Sequence, residues 1–131
     1  MKFMLMMGGT QKGWESMGTW PPAAINAHIG FMLELLKELR ATGELVMAEG
    51  LDLPNKARVV TAKAVGQPVV SDGPFAESKE FLAGFWIVQV PSAERAVQIA
   101  AKASTAPGQD GKPMGIPIEI RQVMSAPNVE A

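Results

Sequence analysis

The chain contains one histidine, His28, and no cysteine. A lone imidazole is the side chain best suited to moving a proton near neutral pH, so His28 is the first candidate for a general acid or base. Asp72, a carboxylate at a strand end just before Gly73-Pro74, is the candidate partner that would orient the imidazole or share its proton. Each residue also has a purely structural reading. His28 falls inside the apolar arc of a helix and can be a core histidine satisfied by one hydrogen bond. Asp72 can be a turn residue whose carboxylate accepts backbone N–H groups. Glu49, on the same strand side as Leu45 and Met47 by period two, faces an apolar layer as a raised-pKa acid or reaches solvent as a strand-end charge. Arg121 can bind a substrate carboxylate or pair with a neighbour such as Glu119. Trp14, Trp20 and Trp86, with nearby methionines, would line a pocket for a flat apolar molecule; for Trp86, core and dimer-interface packing is the simpler expectation.

Much chemistry is excluded. Without cysteine there is no disulfide, zinc–thiolate site or thiol nucleophile. One histidine excludes a multi-histidine metal site within the chain. A hard-cation site would need His28, Glu49 and Asp72 together, and no spacing rule supports it. Gly8-Gly9-Thr10-Gln11-Lys12-Gly13 is glycine-rich after a strand but lacks phosphate-loop spacing. Dinucleotide and nucleophile-elbow motifs are absent too, so no cofactor is expected. The net charge of -1 gives no footprint for nucleic acid. No apolar run reaches the ~20 residues of a membrane helix, and no stretch reads as an export signal. A cytoplasmic protein is expected.

The elements that must position these residues follow from 131 residues, 47% of them hydrophobic and 19% charged: one globular domain over residues 1–124 with a loose tail at 125–131. Lys2–Met7 is a short apolar strand, and Gly8–Thr19 a long loop whose tryptophans can form a lid. Pro21-Pro22 opens an amphipathic helix to about Ala41, with Ile25, Ile29, Met32, Leu36 and Leu39 at helical spacing. Strands follow at Leu45–Leu51, Ala57–Val65 and Val69–Ser71, then one helical turn at Ala76–Glu80. Leu82–Val90 is a strand, and a helix capped by Ser92 runs to about Ala103, burying alanines beside Val97 and Ile99. Gly115–Met124 alternates as the last strand.

This order is a ferredoxin-like split βαβ with an inserted hairpin, an α+β fold with both helices on one sheet face. Yet the strands are apolar on both faces: Phe3 and Leu5 against Met4 and Met6, Trp86 and Val88 against Phe85 and Ile87. A one-sided sheet would alternate apolar with polar, so a second copy is expected to cover the bare face, sheet against sheet.

Asp72-Gly73-Pro74-Phe75-Ala76-Glu77-Ser78-Lys79-Glu80 resembles the signature of the DGPF, or YCII-related, family. The resemblance continues through Ala83–Val90, resumes at Ile118–Met124, and includes Met1–Met4 and Ala48–Leu51. It implies a dimeric α+β barrel. Some members of the family are regarded as small acid–base enzymes with a His and an Asp in one pocket; others occur beside alternative sigma factors. Two functional readings result. One is a cofactor-independent enzyme performing elimination or isomerisation on a small organic acid with His28 and Asp72. The other is a non-enzymatic ligand-binding or regulatory module linked to transcription control. A cofactorless monooxygenase or a haem binder is a further use of such a fold.

Overall fold

A computed structural model of the chain describes residues 1–72 and 80–124. Four strands form an antiparallel sheet: β1 (Lys2–Thr10), β2 (Leu45–Gly50), β5 (Glu80–Gln89) and β6 (Ile118–Gln122), in the order β2-β5-β1-β6. The order is that of a ferredoxin-like α+β fold. Strands β3 (Arg58–Ala62) and β4 (Pro68–Asp72) form a separate hairpin in which every residue is exposed. Three helices complete the described chain: α1 (Gln11–Met17), α2 (Pro22–Ala41) and α3 (Ala93–Ser104). The segment 73–79, which carries most of the signature and the expected helical turn, lies outside the described residues, as does the tail from 125.

The core lies between the sheet and the helices α2 and α3. Phe3 and Leu5 of β1 pair across the sheet with Val88 and Trp86 of β5, and all four are buried. Leu35 and Leu39 of α2 and Ile99, Ala96, Ala100 and Ala103 of α3 close over them. The alanines let α3 approach the sheet closely. Ser92 caps α3, accepting a hydrogen bond from the Arg95 backbone N–H at 3.3 Å. Gly43 ends α2 at φ +75°, a left-handed conformation in which glycine has no side chain to clash.

Several expectations are corrected. The inner stripe of α2 is His28, Met32, Leu35, Leu36 and Leu39, whereas Ile29 is half exposed. Val97 of α3 also faces outward. The stretch after Met7 is not a loop. A register shift at Met7/Gly8 lets β1 continue to Thr10, whose hydroxyl accepts from the Gly13 N–H and starts α1. Glu80 belongs to β5 rather than to a helical turn. A second register shift between Leu45 and Met47 separates residues expected on one side. Leu45 and Ala48 pair with the inward Val88 and Trp86. Met47 and Glu49 pair with the outward Ile87 and Phe85.

Glu44 joins three elements. Arg95 of α3 donates through Nε and one terminal nitrogen to the two oxygens of this carboxylate, each at 2.7 Å, just before β2 begins. The Arg95 hydrogen bond is the largest influence on Glu44; with help from Thr42 and against the effect of burial, it holds the carboxyl at about 2 rather than its ordinary 4.5. The same partner raises Arg95. A depressed carboxyl stabilises the fold above its unfolded value, and that contribution is lost as pH falls from about 4.5 toward 2. Glu44→Gln should therefore lower unfolding stability at pH 7 by about 1 kcal/mol, the partly exposed pair being screened by solvent. The difference from the parent, read from urea midpoints, should shrink steadily below pH 4.5.

Candidate functional site

Beside the core, the inner stripe of α2 stops short of the sheet and leaves a cavity of about 310 Å³. His28, Met32 and Leu36 of α2 form one wall. Ala48 and Gly50 of β2 with Gly84 and Trp86 of β5 form another, and Trp14 of α1 closes one side. Its lining is mainly apolar, and no Lys or Arg contributes among the described residues. Gly84 and Gly50 are register partners. A Cβ on Gly84 would sit 3.0 Å from the Glu49 carbonyl oxygen and 3.4 Å from the Gly50 Cα, so the two strands meet here with no room for a side chain between them.

His28 is the polar group of this cavity that can exchange a proton at neutral pH. The residue is 7% exposed. Its Nδ1 lies 3.0 Å from the backbone carbonyl of Pro107. A carbonyl only accepts, so Nδ1 carries the hydrogen and donates. In the neutral ring Nε2 then holds the lone pair. Among the described residues Nε2 has no hydrogen-bond partner, and no fully buried side-chain nitrogen or oxygen is left unpartnered, so Nε2 borders open space. Trp20, buried at 9% exposure, packs against the imidazole edge to face, with ring centroids 6.0 Å apart and an interplanar angle of 82°. Ring tautomer and ring orientation are thus both fixed from behind.

The Pro107 carbonyl is held by a small closed loop after α3. Pro107 and Pro113 form a β-bridge, Gly108 N–H donates to the Lys112 carbonyl at 2.9 Å, and Met114 N–H donates to Ala106 at 3.0 Å. Gly111 makes the turn at φ +80°.

The candidate residues separate. His28, Trp14 and Trp86 border one cavity, and Glu49 borders it at the end of β2. Strand alternation with Ala48 sends the Glu49 carboxylate toward the opposite sheet face. Trp86 belongs to the helix-side core, not to the open face where a sheet-to-sheet dimer would pack. Trp20 supports His28 from outside the cavity. Arg121 lies opposite Met4 on the open face, exposed and away from the cavity lining. Asp72 is exposed at the end of β4, opposite Arg58 in the hairpin, and does not line the cavity. The position beside Nδ1 is taken by Pro107. Among the described residues no three metal-ligating side chains gather.

Sequence reasoning could not find Pro107, because its contribution is a backbone oxygen. Gly9 was also missed as a packing residue: a Cβ there would lie 2.3 Å from the Trp14 indole nitrogen, so the indole rests directly on the glycine.

The YCII-related domain model matches residues 1–109, most of the chain. The chain belongs to the YCII-related domain family. The matched stretch carries α1, α2, β5, α3 and the Pro107 carbonyl, and ends before β6, which completes the sheet beside β1. This YCII-related chain is also similar to an uncharacterised protein of Rhizobium meliloti (strain 1021), 37% identical over 54 residues. That similarity covers 41% of this chain and 44% of the relative, so the chain spans less than half of the relative's length in the match.

The tautomer is directly measurable. Long-range ¹H–¹⁵N correlation of the neutral imidazole should show Nδ1 protonated and Nε2 bare, and with one histidine in the chain the assignment is unambiguous. The opposite pattern would remove the Pro107 hydrogen bond from the account.

Proposed function

We propose that this domain is a cofactor-independent acid–base enzyme that takes a proton from a small, flat molecule, returning it at another atom in an isomerisation, or keeping it while a leaving group departs with its electron pair in an elimination. One observation carries this reading: His28 lines an apolar cavity with its Nδ1 tied to the Pro107 carbonyl and its Nε2 without a hydrogen-bond partner among the described residues. A base needs a lone pair aimed at the reacting proton and a ring that does not turn away. The carbonyl supplies the second condition, and Trp20 stiffens it.

The lining narrows the substrate. Among the described residues no Arg or Lys lines the apolar cavity to receive a carboxylate, and desolvating that charge is costly. The organic acid that fits is a weak one, neutral at pH 7: a phenol, an enol or an activated C–H acid. With Asp72 outside the lining, His28 itself has to return the proton in an isomerisation, and in an elimination it retains the proton until solvent or product removes it.

The test is deuterium uptake from D2O into a panel of small cyclic ketones and enones, followed by NMR. The parent protein should accelerate exchange for at least one member, and His28→Gln should lose about 100-fold or more of that rate. Equal rates in the two proteins would overturn the assignment of His28 as base.

A homodimer accompanies this reading. Its support is the sheet face turned away from the helices, where Met4 and Met6 of β1 adjoin Phe85 and Ile87 of β5. This apolar stripe is flanked by Glu119 and Arg121 on one edge strand and Met47 and Glu49 on the other. A second copy laid sheet against sheet would bury the stripe and can pair Arg121 of one copy with Glu49 or Glu119 of the other, forming the dimeric α+β barrel. Analytical ultracentrifugation should give twice the chain mass for the parent and a monomer for Ile87→Lys, which places an ammonium at the centre of the stripe.

A further inference from the structure

Beyond the cavity already described, a second one of about 260 Å³ lies against the other side of α1. It is bounded by the turn from β1 into α1, by Met17, and by residues 114–117 leading into β6. Met7, Trp14 and His28 line both cavities. The two spaces are thus neighbours that share the imidazole, and the largest side chain lining both is the Trp14 indole.

Trp14 is mounted in a way that suits a partition. It sits on the seven-residue helix α1, which has no buried residue of its own. Thr10 and Ser16 hold this helix locally, through the Gly13 N–H at 3.1 Å and the Gly13 carbonyl at 2.7 Å. The indole packs against Gly9 through its nitrogen edge atoms, with no space for even a methyl group there. Its position is therefore set by one bare backbone position rather than by the core.

We infer that Trp14 divides one ligand site into two lobes around His28 and sets the length of molecule the site accepts. The inference rests on the reading of His28's cavity as a ligand site. One aromatic ring fits beside His28 in the larger lobe; a second ring in line with the first has to pass the indole. The ligand class is a single-ring weak acid, with two-ring analogues excluded by Trp14.

The experiment compares phenol with 4-phenylphenol, using the His28 ring ¹H signals as the readout in the parent, in Trp14→Ala and in Trp14→Phe. In the parent, phenol should move these signals at far lower concentration than 4-phenylphenol, after allowance for the greater hydrophobicity of the second ring. Trp14→Ala should improve 4-phenylphenol relative to phenol by tenfold or more, and Trp14→Phe, which trims the indole without emptying the position, by a smaller factor in the same direction. An unchanged affinity ratio in both variants, with phenol still bound, would overturn the partition while leaving the ligand site standing. If neither probe moves the His28 signals in any of the three proteins, the ligand site and the partition both fall. If Trp14→Ala does not fold, the ratio in Trp14→Phe decides.

Discussion

The hydrogen bond from His28 Nδ1 to the Pro107 carbonyl joins parts of the chain 79 residues apart, and the geometry of the cavity depends on it. It ties the start of α2 to the loop that follows α3, across the core. A neutral carbonyl also does something a carboxylate would not. It fixes the tautomer without adding a negative charge that strongly favours the imidazolium. In the proposed acid–base reading, that difference favours a reaction in which the same proton leaves one atom and reaches another.

The apolar character of the cavity follows from how the sheet and α2 meet. Trp86 and the alanine-rich face of α3 fill the space near the middle of the sheet. Where β2 ends beside the middle of β5 the facing residues are Gly50 and Gly84, which carry no side chain to fill the gap under α2. The gap is therefore a product of strand pairing, bounded by Met32 and Leu36 above. In such a lining a neutral guest displaces poorly held water, and a charged one loses hydration with little in return.

Much of this was legible in the chain. The period of α2 placed His28 on the inner face with Leu35 and Leu39, and both are buried beside it. The alternation of β6 set Ile118 and Ile120 apart from Glu119 and Arg121, and both isoleucines pack against the core; β5, apolar on both faces, did not say which of its sides turns inward. Illegible were the places where one residue shifts a register. Gly8-Gly9 reads as the end of a strand, yet β1 passes through it by a register shift at Met7/Gly8, and Gly9 lies bare against Trp14. The bulge near Val46 reversed the side expected for Glu49 relative to Leu45. Asp72 was singled out for its sequence neighbourhood, but a residue's place in a motif does not say which residues lie near it in space. The atom that does meet the imidazole is a backbone oxygen in a loop rich in Pro and Gly, and side-chain patterns carry no signal for it.

The sheet keeps its two faces chemically separate. On the helix side, β1, β2 and β5 present residues that enclose His28. On the other side, the same strands present Met4, Met6, Met47 and Ile87. Because neighbouring side chains alternate, a substitution on the outer face changes what a second copy can bury while leaving the inner side chains in register. Phe85 and Glu49 are the exceptions: they pair with each other on the outer face, yet both also border the His28 cavity. With Gly84 before it and Glu49 opposite, Phe85 stands where backbone and side chain touch both compartments.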